Sequence, residues 1–190
     1  MKKLRNVLAS AVLVALVGIS TAQAADIIPV VTDPANFGYN DPTPVAPVGG
    51  NPGTTRGQQR RIVAQYAAAM WGSVLQSNEP IYVQARFQNL AAGVLGSAGS
   101  VTAHGNFANA PFLNTYYHAA LADSLAGFDL SPTTYDIQSQ FSTNFAFYYG
   151  LDGKTPAGLV NFLDVVMHEY AHGLGFSNFE DEASGRWLGA

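Results

Sequence analysis

The sequence predicts a mixed α/β (α+β) domain on three observations: helical apolar spacing that passes straight into strand alternation over residues 55–88, a second alternating run at 135–141, and a capped amphipathic helix near the C-terminus. With 190 residues, 48% of them hydrophobic and 12% charged, the chain supplies one sizeable core and too little for a second. Residues 55–190 are therefore expected to form one globular unit.

The elements follow in order. Thr55 and Gln58 have the spacing of a capping box, in which each side chain serves the other's backbone N–H. Beyond it Val63, Ala67, Met70 and Val74 recur at helical spacing, widened by Ile62 and Tyr66, so a core-facing helix is expected to run to about Ser77-Asn78. After Pro80, Ile81, Val83, Ala85 and Phe87 alternate with Tyr82, Gln84, Arg86 and Gln88, the period of a half-buried strand. Residues 91–105 are rich in Gly, Ala and Ser, and within them 94–103 is the candidate edge strand. A short helix over 115–126 should stop at Gly127. Tyr135, Ile137, Ser139 and Phe141 mark the second strand, and 145–149 a third that turns at Asp152-Gly153. The last helix opens at Asn161 with Asp164 at its third position, Phe162, Val166 and Tyr170 form its apolar stripe, and Gly173 and Gly175 are expected to stop it.

The N-terminus reads differently. Lys2, Lys3 and Arg5 precede an apolar run from Val7 to Ile19, and Ala22 and Ala24 flank Gln23, the anatomy of a secretory signal peptide cleaved after Ala24. Residues 1–24 are thus expected to send the chain to the periplasm or the medium. Three of the 9 Lys and Arg lie in that segment, which leaves 6 cations against 13 acids and a net charge of −7. An acidic body without basic clusters argues against nucleic acid as a partner, and against membranes once the signal is removed. Cysteine is absent, so no disulfide staples the exported fold and no thiol serves as nucleophile. Residues 25–54 carry Pro29, Pro34, Pro42, Pro44, Pro47 and Pro52 and are read as an extended leader against the surface. If that leader were an inhibitory propeptide it would need a metal ligand, for which Asp33 and Asp41 are weak substitutes for the missing cysteine.

The chemistry lies in HEYAHGLGFSN, residues 168–178, which holds two of the 4 histidines. His168 and His172 stand four apart on a helix, so they project from one face close enough to share a cation. In a zinc hydrolase two such imidazoles hold the metal, and the glutamate between them, here Glu169, takes a proton from the attacking water and hands it to the leaving amine. A chance histidine pair on a helix surface is the bland alternative. It is disfavoured by the helical context and by how few histidines the chain has. No Gly-x-Ser-x-Gly elbow supports serine catalysis. His104, in a Gly/Asn-rich loop, and His118, on the short helix, read as structural, and Asp152-Gly153 lacks the acidic spacing of a calcium loop.

The HExxHGLGF pattern of His168 to Phe176 resembles the active-site helix of secreted bacterial zinc metallopeptidases of the metzincin type. RRIVAQYAAAMWGSVLQSNEPIYVQARF resembles their first helix and strand, YDIQSQFS a later strand, and FYYGLDG the approach to the zinc helix, so the resemblance covers residues 60–188. It implies a zincin-like twisted, mostly parallel sheet with packed helices and the active-site helix near the C-terminus under a substrate cleft. It also implies a Zn2+ cofactor and a polypeptide substrate paired to an edge strand. The metzincin pattern puts a third histidine where Asn178 stands, whose amide oxygen is the candidate third ligand. It also puts a methionine turn after the helix, whereas Met70 and Met167, the methionines beyond Met1, both precede His168. FEDEASGRWLGA resembles the start of a longer segment, so the catalytic domain is expected to continue beyond Ala190. The resulting reading is a zinc-dependent endopeptidase with Glu169 as general base. Its alternatives are an inactive peptide-binding relative and an exported adhesion or structural domain.

Overall fold

A capping box opens the first helix as its sequence requires: the Thr55 hydroxyl accepts from the Gln58 N–H at 3.2 Å, and Gln58 Oε1 accepts from the Thr55 N–H at 3.2 Å. The computed structural model describes residues 23–177, 179–181 and 186–187, so most of the signal segment and Asn178 lie outside the described residues. In chain order the elements are β1 (Ile27–Val31), α1 (Arg56–Val74), β2 (Ile81–Gln88), β3 (Gly96–Ser100), β4 (Ala103–Gly105), β5 (Tyr116–His118), α2 (Ala119–Ala126), β6 (Ile137–Ser142), β7 (Phe147–Tyr148), β8 (Val160–Asn161), α3 (Phe162–Leu174), β9 (Glu180–Asp181) and β10 (Arg186–Trp187). A one-turn 3-10 helix at Gly38–Asn40 lies between β1 and α1. The mixed α/β class is the one the sequence predicts.

The main sheet has the order β1-β2-β6-β3, with β1, β2 and β6 parallel and β3 antiparallel at the edge. The alternation of β2 faces Ile81, Val83, Ala85 and Phe87 into the core, as the period demands. Helix α1 lies against β1 and α3, and α3 lies against β3 and β6. Phe162, Val166 and Tyr170 of α3 are all buried, each contributing about 2 kcal/mol of apolar burial. Phe162 stacks on Phe87 at 5.5 Å and meets Phe141 edge-on at 5.1 Å, so the stripe of α3 locks onto the middle of the sheet. Asn161 Oδ1 caps the helix by accepting from the Leu163 N–H at 3.0 Å.

Four expectations need correction. Helix α1 ends at Val74, and its expected stripe is only partly covered: Val63 and Ala67 are buried, but Tyr66, Met70 and Val74 are exposed. The covered face is centred on Ala64, Ala67, Ala68 and Gly72, rotated about the helix axis from the expected stripe, so Tyr66, Met70 and Val74 lie at its margin. The short helix α2 begins at Ala119, because residues 116–118 pair with β4 instead. Strand β7 does not fold back as a hairpin at Gly153; it runs parallel to β8 after a longer connection. The fourth concerns Gly173, read as part of the helix stop together with Gly175. Helix α3 runs through it, and a Cβ there would meet Ile137 Cγ2 at 2.3 Å, so Gly173 lets the helix approach β6 closely.

The Pro-rich segment is extended but is bound into the fold. β1 pairs with β2 on one side only, a position at which Pro29 removes no needed donor. Asp33 Oδ2 accepts from the Tyr39 N–H at 2.6 Å, and its Oδ1 accepts from the Phe87 N–H at 2.9 Å. Tyr39 is 1% exposed and packs edge-on against Phe87 at 5.1 Å. Asp41 pairs with Arg56 at 3.1 Å and Arg60 at 3.7 Å. The two carboxylates weighed as substitute metal ligands therefore hold backbone and arginines. Upstream, the Ser77 N–H donates to the Gln23 carbonyl at 3.1 Å and the Ala25 N–H to the Leu75 carbonyl at 3.0 Å, so the expected cleavage point lies inside a paired segment.

Candidate metal centre

Helix α3 presents His168 and His172 one turn apart, and their Nε2 atoms face each other at 3.0 Å. Two imidazole ligands of a tetrahedral zinc, each about 2.05 Å from it, have nitrogens about 3.3 Å apart, so small rotamer adjustments admit a cation between them.

The second histidine is oriented from outside the pair. Helix α3 ends on Gly175, whose φ of 118° is left-handed, with the Gly175 N–H bonded to the His172 carbonyl at 3.2 Å and the Phe176 N–H to the Ala171 carbonyl at 3.0 Å. That pair of bonds is a Schellman turn, which reverses the chain over the helix end. It brings the Phe176 carbonyl to 3.0 Å from His172 Nδ1. A carbonyl only accepts, so Nδ1 carries the proton and Nε2 keeps its lone pair for a metal. The donor set on these two side chains fits a zinc ion.

Glu169, one position after His168, faces β3 within electrostatic reach of both imidazoles. It is 7% exposed, and burial raises its pKa above the ordinary glutamate range, opposed by the neighbouring His168 and His172 and by a backbone hydrogen bond from Ala98. The ladder explains that bond. Leu95 and Val101 spend their backbone groups on Ser142 and Asp136 of the β6 side, so the groups of Gly96 and Ala98 point outward from the sheet edge. A Cβ on Gly96 would lie 2.9 Å from Glu169 Cγ and 3.1 Å from Oε1, so glycine makes room for the carboxylate. A cleft of about 470 Å³ opens between residues 93–96 and α3, with Asp164, His168 and Glu169 in its wall.

The structure thus brings His168, His172 and Glu169 together. Asn178 lies outside the described residues, and among the described residues no group of three or more His, Cys, Asp or Glu forms a metal cluster. His104 Nε2 sits between the hydroxyls of Thr102 at 3.1 Å and Ser131 at 3.2 Å, in a structural role as read. The sequence reading missed the Phe176 carbonyl and Gly96. Gly175 followed by a large apolar residue is the Schellman signal that points to the first; the Gly/Ala/Ser tract around Gly96 carries no signal for the second.

Fold and site together define an α+β domain whose last long helix carries a histidine pair beside a buried glutamate at a sheet edge. The chain belongs to the SPBPB7E8-like family, whose model matches residues 52–184, from just before α1 to beyond the paired histidines. No curated protein and no solved structure matches it. Among the described residues no helix is long and apolar enough to cross a membrane.

Proposed function

We propose that this chain is an exported zinc-dependent endopeptidase with a zincin-like, metzincin-type plan, acting on polypeptide substrates. The observation that carries the reading is the facing Nε2 pair of His168 and His172, with the His172 tautomer set by the Phe176 carbonyl. His168 and His172 hold the metal, and Asn178 offers its amide oxygen as third ligand. When bound, zinc supplies Lewis acidity at the scissile carbonyl.

The chain's own residues do the rest. The Glu169 carboxylate accepts the proton of the attacking water and returns it to the leaving amine. Burial brings its pKa closer to that task, and the Ala98 N–H holds its orientation. The outward backbone groups at the β3 edge other than the Ala98 N–H give an extended peptide a strand to pair with, beside the cleft.

Glu169→Gln separates the roles, since an amide cannot take the proton. The variant is expected to bind zinc like wild type and to lose nearly all chelator-sensitive casein hydrolysis. Loss of zinc together with activity would make Glu169 a ligand or folding residue. Zinc binding by wild type without any turnover would favour the inactive peptide-binding relative.

A further inference from the structure

The turn that sets the His172 tautomer is itself held from both sides. On one side the Phe176 ring packs on Trp71 at 5.8 Å between centroids. On the other, His118 reaches across from the junction of β5 and α2: its Nε2 lies 2.7 Å from Ser177 Oγ, and its ring stacks on Phe179 at 4.3 Å and 24°. Ser177 Oγ in turn donates to the His172 carbonyl at 3.4 Å. A hydroxyl has one hydrogen to give, so the consistent arrangement has His118 Nε2–H donating to Ser177 and Ser177 donating to the helix end. His118 is 7% exposed, and its burial lowers its pKa, which keeps the ring neutral.

Two bonds then act on one residue. Phe176 and Ser177 are neighbours in the turn; the first carries the carbonyl that orients His172, and the second is the anchor His118 grips. Without that anchor the turn keeps its two backbone bonds and the Phe176–Trp71 packing but loses its hold at Ser177, which is exposed.

We infer that His118 is a positioning residue of the metal centre: through Ser177 it fixes the Gly175–Ser177 turn, and so keeps His172 in the single Nδ1–H form that leaves Nε2 free for the metal. This deepens the metallopeptidase reading and rests on it for its consequence, though not for its geometry.

Two readouts on the full chain test it. In metal-free protein at about pH 8, above the ordinary histidine range, long-range 1H–15N spectra of the imidazoles report the His172 tautomer. Wild type is expected to show the Nδ1–H form, and His118→Leu and Ser177→Ala a mixture of both. In a competitive chelator titration the same two variants are expected to bind zinc about 10-fold more weakly or worse, the usual effect of removing an outer-shell partner. His118→Gln, whose amide reaches the Nε2 position, is expected to restore most of both. A residue that only supports the fold would lower thermal stability and leave the tautomer unchanged. If His118→Leu does not fold, Ser177→Ala at its exposed position decides alone. The inference is overturned if His172 stays in the Nδ1–H form in these variants. Failure of wild type to bind zinc would instead overturn the metallopeptidase reading, while the tautomer measurement still decides the role of His118.

Discussion

Gly96 and Glu169 meet so closely that one methyl group tests their relation. A Cβ at Gly96 would sit within 3.1 Å of the Glu169 carboxylate, and the flexible end of that side chain, not the strand, is the part that yields. Gly96→Ala is therefore expected to leave zinc affinity and melting temperature near wild type while lowering peptide hydrolysis on the order of 100-fold, the cost of a misplaced catalytic group. Steady-state kinetics beside a thermal melt check this, and a large loss of stability with unchanged turnover would sink it. His168 and His172 were legible in the sequence because a helix converts four-residue spacing into a shared face, and Glu169 because it stands next to the first of them in that pattern. Gly96 was not, since it meets Glu169 through tertiary packing 73 positions away in the chain.

At the scale of the element, α3 was the most readable part of the chain. Its Asn161 cap and its stripe of Phe162, Val166 and Tyr170 all follow from local periodicity, and all are found in place. The exception is Gly173, where helix meets sheet: a Cβ would overlap Ile137 Cγ2 at 2.3 Å, inside a core with no slack. Gly173→Ala is expected to push α3 away from β6 and destabilise the fold by about 1–3 kcal/mol, the range for overpacking, read as a shift in urea midpoint at unchanged slope. An unchanged midpoint would mean that the helix already stands off the sheet. Helix α1 shows the limit of the same reasoning. Its period was correct, but Tyr66, Met70 and Val74 emerge into solvent, because which face of the helix is covered depends on the neighbouring elements.

For the whole molecule, the segment richest in proline was the least legible. Its apolar positions have no periodicity, yet Tyr39 is nearly sealed in the core and Asp33 ties it to β2, contacts that only the folded sheet creates. The fold also carries a buried acidic pair that no local pattern announces. Asp136 and Asp123 are 5% and 3% exposed, and burial, aided by Asp123 and Asp129 and opposed by the Tyr82 N–H, pushes the Asp136 carboxyl up to about 7. A carboxyl whose folded pKa is raised binds its proton more tightly in the native state. Its stabilisation is complete below the unfolded value of 3.8 and is lost as pH rises through about 7. Melting temperature is thus expected to fall from pH 5 to pH 8 in wild type, and to fall less in Asp136→Asn, whose amide can still accept from Tyr82 and donate to Asp123. Equal slopes in the two proteins would contradict this. The central claim, that His168 and His172 hold a catalytic zinc, is tested most directly by metal content. Purified full-length protein equilibrated with zinc and freed of excess should retain close to one zinc per chain, and the His168→Ala/His172→Ala double variant, folded by circular dichroism, should retain none. Equal zinc in both proteins, or none in wild type, would contradict the account.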